Sequence, residues 1–277
     1  MRRIAVLLSV IGLFAAAPAA AGAGRDSAHR PHTSVRAHQH DGLRPSRLEA
    51  QVARADGRLR VRAMVGLVNL QPRPRTVHLR IGRCTGGTTG TPGCPTARRI
   101  ALRIRPRTAA TFVRATTLRQ PPPRTDRIEL SLTTSARAQP PYGVSRHLGA
   151  LLLRGTAWRG PLGGQRFGAA LTAVEGVEPV RLVLDGAGVT PDVLRPQVLW
   201  QARAGDRASR LATRLSPCDL TGRCRELTAA KAVAAGPRAT TFARRPTLRR
   251  GQARAYALRV TAPRGGVVLR ARLPWPG

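Results

Sequence analysis

The sequence predicts an all-β protein made of two tandem antiparallel β-sandwich domains that follow a signal peptide and a disordered leader. Three observations lead there. Apolar residues alternate in short runs with a period of two, and Gly, Pro and Thr punctuate them. No convincing amphipathic helix separates those runs. The chain also repeats itself: Cys94, Phe112, Thr117-Leu118-Arg119 and the alternating Ile128, Leu130 and Leu132 return 130 residues later. The second copy reads Cys224, Phe242, Thr247-Leu248-Arg249, Leu258, Val260 and Ala262. Each copy has a further cysteine three residues beyond an alternating run: Val77, Leu79 and Ile81 before Cys84, and Leu211, Thr213 and Leu215 before Cys218. A length of 277 residues suits two domains.

Residues 1–23 carry the marks of a secretory signal peptide. Met1-Arg2-Arg3 is a charged start, Ile4 to Ala17 an apolar run, and Ala19 to Ala23 a stretch of small residues suited to cleavage. Export follows, to the extracellular space or the cell envelope, with no integral membrane segment in the mature chain. Residues 24–46 are polar, contain Pro31 and Pro45 and show no hydrophobic period, so they are expected to form the disordered leader. His29, His32, His38 and His40 fall there, and histidine-rich tracts bind transition metals. With no fold to fix their geometry and no acidic or cysteine partners, no metal is assigned to them.

The first domain is placed at residues 47–134. Leu59, Val61, Ala63, Val65 and Leu67 alternate with Arg58, Arg60, Arg62, Met64 and Gly66, which defines a strand with arginines outward. Asp56-Gly57 before it signals a tight turn, so Leu48 to Val52 supplies the other arm of a hairpin. Pro72 and Pro74 end the long strand. Strands follow at Val77 to Ile81, Ile100 to Ile104, Ala110 to Arg114 and Arg127 to Leu132.

Residues 135–166 break the composition with Pro140-Pro141 and several glycines, and are read as a linker or edge strand. The run Leu148 to Leu153 favours the strand. The second domain, 167–277, repeats the plan: Phe167 to Val174, Val180 to Leu184 with Asp185-Gly186 as a turn, Val198 to Ala202 and Leu211 to Leu215. Leu227 to Ala234, Thr240 to Arg244, Tyr256 to Ala262 and a closing Val267 to Leu273 complete it. The alanine-rich Leu227 to Ala235 has helical propensity, but its counterpart Ile100 to Ile104 alternates, so both are assigned as strands.

In an exported chain an even cysteine count points to disulfides. The repeat selects the pairing, Cys84 with Cys94 and Cys218 with Cys224, each inside its own copy. A four-cysteine zinc site wants two close pairs of ligands, which separations of ten and six residues in separate domains do not offer.

The pattern resembles bacterial extracellular immunoglobulin-like or fibronectin-type modules, including those related to cell adhesion. It is carried by the alternating strand ending near Asn69, the Pro106-Arg107-Thr108 before the Thr-Phe strand, and the final alternating strand. The resemblance covers both repeats and implies an immunoglobulin-like fold and a habit of mediating contact, without naming a ligand. The core tryptophan expected of such modules is not evident in the first domain.

No catalytic constellation emerges. Gly143-Val-Ser145-Arg-His147 lacks the second glycine of a nucleophile elbow. Glu175 and Glu178 are the only close glutamate pair, but beside Gly176 and Pro179 they read as solvated turn residues rather than glycosidase carboxylates. His78 reads as a surface histidine beside Arg80. No phosphate loop, zinc-protease or calcium-loop pattern occurs. The expectation is a non-enzyme without cofactors.

Charge is the remaining signal. The chain holds 48 basic and 13 acidic residues, a formal charge of +35. A GC-rich gene accounts for arginine in place of lysine, since Lys231 is the only lysine. It does not account for the scarcity of acids, and a field of this sign concentrates polyanions. Arg244, Arg245, Arg249, Arg250 and Arg254 gather around the second Thr-Leu-Arg turn, with Arg114 and Arg119 in the matching place of the first copy. Guanidinium forks suit phosphate, sulfate and carboxylate groups. Aromatic residues make up 3% of the chain, too few for base-stacking platforms. Anionic cell-envelope polymers or other polyanions are therefore the expected partners, and the alternative is an accessory or inhibitory domain pair that binds a specific protein.

Overall fold

The computed structural model describes residues 32–85, 96–119, 125–135, 145–205, 208–225 and 231–276. The first half contributes β1 (His32–His38), β2 (Leu43–Ala55), β3 (Arg58–Asn69), β4 (Arg75–Thr85), β5 (Thr96–Ile104), β6 (Thr108–Arg119), β7 (Thr125–Ser135) and β8 (Ser145–Arg154). The second contributes β9 (Arg166–Leu171), β10 (Val177–Thr190), β11 (Val193–Leu194), β12 (Gln197–Ala204), β13 (Ser209–Cys218) and β14 (Lys231–Ala235). It closes with β15 (Thr240–Arg244), β16 (Leu248–Arg249), β17 (Ala255–Thr261) and β18 (Val267–Pro274). The protein is thus nearly all β. Two single-turn 3₁₀ segments, Gly155–Ala157 and Gly160–Leu162, join β8 to β9.

All strand pairs are antiparallel, in two sheets. The first runs β15-β12-β10-β1-β8-β7-β4-β5, with the two-residue strands β11 and β16 attached beyond β10. The second runs β14-β13-β17-β18-β9-β2-β3-β6. Read from β15 in one sheet and from β6 in the other, the two orders match strand for strand. β12 corresponds to β3, β10 to β2, β1 to β9, β8 to β18, β7 to β17, β4 to β13 and β5 to β14. The internal repeat is therefore a repeat of topology. It begins earlier than the sequence alone indicates, at β1 and β9. Each of these strands joins the two halves: β1 pairs with β10, and β9 pairs with β2. Both sheets pass unbroken from one half to the other over a single apolar core.

Alternation builds that core. Along β3, Leu59, Val61, Ala63, Val65 and Leu67 are buried, while Arg58, Arg60 and Arg62 are exposed. In the register of the sheets, Leu48, Val65 and Phe112 form one cross-strand row, and Leu182, Trp200 and Phe242 form its counterpart. Trp200, buried in the core as Trp158 and Trp275 are, holds the middle of the second row, and Val65 stands in its place in the first half. Phe112 and Phe242, which the repeat marks as inward residues, are half-buried against the core, because β6 and β15 are outer strands of their sheets.

Several expectations are corrected. His32–His38, placed in the disordered leader, is a strand flanked on both sides, with Val35 and Ala37 fully buried. Asp41 and Gly42 (φ 46° and 67°) turn the chain from it into β2, and Asp56 and Gly57 (φ 51° and 66°) make the predicted hairpin. Asp185-Gly186 makes no turn, since β10 runs through it. Glycine is needed there because a Cβ would run into the Tyr256 hydroxyl arriving from the other sheet. The turn lies earlier, at Glu175 and Gly176 (φ 53° and 75°). Glu178 is a strand residue, not a solvated turn residue: it pairs with Arg203 and, across the sandwich, with Arg44. The predicted signal peptide, Cys94 and Leu227 to Ala230 lie outside the described residues.

Candidate anion-binding cleft

β13 ends at the buried Cys218, and the chain folds back so that Cys224 lies opposite it and closes the predicted disulfide at 2.08 Å. The intervening loop is pinned by Asp219. Its Oδ1 accepts hydrogen bonds from Thr221 Oγ1 at 2.7 Å and from Arg223 N at 3.0 Å, and Gly222 takes the left-handed position with φ 87°. Disulfide and side-chain turn together hold Arg223 and Arg225, the exposed neighbours of Cys224, on one wall of a cleft of about 810 Å³.

The facing wall is the Thr-Leu-Arg turn. Leu248 is fully buried and anchors β16 against β11. That placement turns Arg249 outward and leaves Arg250 at the rim. Arg250 N donates to Asp192 O at 2.8 Å, and Ala253 N to Arg250 O at 2.7 Å, closing a tight turn through Gly251. Arg250 Nε is buried and has no hydrogen-bond partner among the described residues. The cleft thus faces four guanidinium groups with one carboxylate. That carboxylate is Asp219, held below the usual carboxylate range first by the Thr221 hydroxyl and then by backbone N–H groups of its own loop. Its Oδ1 is engaged within the loop, and of the cleft arginines Arg250 donates Nη1 to Pro191 O at 3.5 Å, so guanidinium donors remain to face an external anion.

The structure brings together only part of the predicted arginine set. Arg249 and Arg250 line the cleft. Arg254 is exposed next to it, with its backbone N–H on Cys218 O at 2.8 Å. Arg244 stands over the Phe242 ring at 5.5 Å on the outer strand β15, and Arg245 is exposed just beyond. Arg114 repeats that arrangement over Phe112 at 5.7 Å. With Arg119 it lies on β6, an outer strand of the other sheet in the other half. Matching places in a repeat are thus separate places on the surface. Arg223 and Arg225 were missed in the sequence. Their adjacency to Cys224 was the available signal, because a short disulfide loop presents its flanking residues.

Several of the described acids are held by arginines or by backbone. Besides the Glu178 pairs, Asp185 meets Arg36 at 3.2 Å, and Glu175 accepts from Arg264 N and Gly266 N at 3.0 and 3.1 Å. No group of three or more His, Cys, Asp or Glu residues among the described ones is arranged to hold a metal. His38 is pushed below the ordinary imidazole range by burial and then by His40, Arg181 and His147. No helix among the described residues is long and apolar enough to cross a membrane.

This is an antiparallel, nearly all-β protein with an arginine-lined cleft. No protein-family model and no curated protein matches the chain. Among solved structures, one provisionally assigned as a beta-galactosidase from Bacteroides fragilis aligns at 10% identity and a TM-score of 0.28. The alignment covers 81% of this chain and 34% of that one. A second, described as pT26-6p, aligns at 8% identity and a TM-score of 0.21 over 87% of this chain and 66% of its own. This chain therefore spans about a third of the first structure's length and two thirds of the second's. Likenesses this distant speak to neither fold nor function.

Proposed function

We propose that the protein is a secreted or envelope-associated pair of immunoglobulin-like β-sandwich modules without catalytic activity, which adheres to anionic cell-surface material through arginines. The modular reading rests on how each half divides its strands. β2, β3 and β6 lie in one sheet and β4, β5, β7 and β8 in the other, and the second half repeats the division. That division supports the reading because a seven-strand sandwich of immunoglobulin type splits its strands in the same way, here with the fourth strand paired to the third instead of the fifth.

The observation that carries the adhesion reading is the cleft: four arginines on two walls, one of them fixed by the disulfide, facing a single carboxylate already engaged by its own loop. Preorganised forks lose less side-chain freedom on binding than scattered surface cations. A specific protein partner would want an apolar centre. Among the described residues the exposed large apolar ones, Leu70, Val113 and Leu220, lie on separate segments of the chain.

The test is binding of inorganic polyphosphate and of an acidic polysaccharide across a salt series. Affinity should fall linearly with salt on logarithmic axes as counterions are released. Changing Arg223, Arg225, Arg249 and Arg250 together to Gln should flatten that slope. An unchanged slope assigns the binding to charge spread over the whole surface, and absence of binding at low salt rejects the reading.

A further inference from the structure

On the outer face of the second sheet, arginines stand directly opposite one another across three neighbouring strands. Arg214 on β13 faces Arg259 on β17, and Arg259 faces Arg270 on β18. Like charges so placed destabilise a sheet, and neighbouring strands are about 4.8 Å apart. In the adjacent row, Ala257, Arg272, Gly168 and Glu49 succeed one another across β17, β18, β9 and β2. The small Ala257 and Gly168, on either side of Arg272, leave a depression of about 320 Å³ lined by Arg166, Arg259, Arg270 and Arg272. Gly168 cannot be larger, because a Cβ there would overlap the Leu48 carbonyl oxygen.

Glu49 forms the remaining wall of this depression, and only 8% of its side chain is exposed. Arg47 Nε, Arg166 Nε and Arg270 Nη2 stand 3.9, 3.8 and 3.6 Å from its oxygens, near enough to offset its charge but beyond hydrogen-bond length. Glu49 Oε2 is buried and accepts no hydrogen bond among the described residues. Native structures seldom leave such an acceptor unfilled.

We propose that this depression binds an acidic saccharide. This site rests on the polyanion reading above and narrows its ligand to one class. Arg259 and Arg270 receive the sugar carboxylate, the ring lies on the floor of Gly168 and Ala257, and a ring hydroxyl donates to Glu49. Arg166, half exposed, moves aside to admit that hydroxyl. An anion without hydroxyls meets only repulsion from Glu49, whereas a sugar acid offers the donor and the carboxylate together. The row of Arg270, Arg259 and Arg214 sets the direction of a longer chain, across the strands and away from Glu49.

The test compares a tetrasaccharide of glucuronic acid with inorganic polyphosphate by calorimetry on the purified protein at one salt concentration. Glu49→Gln keeps the shape and weakens the acceptor, so the tetrasaccharide should bind about fivefold more weakly. Polyphosphate should bind as well as before or better, since a repelling charge is gone. Equal tightening of both ligands would overturn the proposal by showing that Glu49 acts only as a charge. Arg259→Gln, an exposed change that carries the test if Glu49→Gln fails to fold, should weaken the tetrasaccharide about tenfold, and no effect would overturn the proposal. If the parent protein binds polyphosphate but not the tetrasaccharide, this site is rejected and the polyanion reading stands. Binding of neither ligand rejects both.

Discussion

The indole of Trp200 on β12 stacks on the phenyl ring of Phe242 on β15, with centroids 5.5 Å apart and planes 21° from parallel. The matching row of the first half places Val65 beside Phe112, which therefore has no aromatic partner there. Replacing Phe242 with Ala should then cost about 1 kcal/mol more than replacing Phe112 with Ala. Both losses should fall below the 3–5 kcal/mol typical of a fully buried phenylalanine, since both rings are half-buried. Urea unfolding of the two variants checks this, and equal losses would mean the stack contributes nothing beyond burial.

Tyr256 crosses the sandwich. It is fully buried, its hydroxyl lies 3.5 Å from Thr33 Oγ1 on β1, and its ring meets Trp275 edge-on at 6.4 Å. Gly186→Ala should destabilise the protein by about 1–3 kcal/mol through overpacking, and Tyr256→Phe in that background should recover part of the loss. Recovery of nothing would place the strain elsewhere.

Burial pushes the Tyr256 hydroxyl well above the usual tyrosine range, with the Thr33 hydrogen bond opposing by less. The unfolded chain releases this proton near pH 10, while the folded chain retains it. Stability from this group is complete below that pH and declines as pH rises beyond it. Urea midpoints measured between about pH 8 and 11 should show this alkaline decline in the parent and a shallower one in Tyr256→Phe.

Arg44, with 8% of its side chain exposed, reaches from β2 in one sheet to Glu178 on β10 in the other at 3.2 Å, and Arg203 Nε donates to the same carboxylate at 2.6 Å. Glu178→Gln leaves the Arg44 charge buried without its counter-ion and should cost about 3 kcal/mol. Replacing Arg44 with Met as well should restore most of that. Urea unfolding of the single and double variants measures both effects, and a loss under about 0.5 kcal/mol would class the pair as an ordinary surface contact.

Changing Cys218 and Cys224 to Ser should lower stability by about 2 kcal/mol, the loop-closure value for so short a ring. It should also weaken polyanion binding, because Arg223 and Arg225 lose their support. Peptide mapping without reduction should recover Cys218 with Cys224 and Cys84 with Cys94. A link between the halves would contradict the repeat.

Most of the strands, and their duplication, are legible in the residues alone. Period-two burial is a local property, so the apolar face of β3 and the Asp56-Gly57 hairpin could be read directly. The offset shared by Phe112 and Phe242 reported equivalent places because both copies keep the same strand order. The rest depends on which strands become neighbours. Asp185-Gly186 has the composition of a turn, yet Tyr256, seventy residues later, requires that glycine inside a strand. Val35 and Ala37 look isolated among polar residues until β8 and β10 flank them. The predicted arginines share a sequence position but occupy different surfaces, whereas Arg223 joins Arg250, and Arg166 joins Arg270, only through folding. Charge is additive along a chain, but a binding site depends on distances between side chains, and those are set by the register of the two sheets.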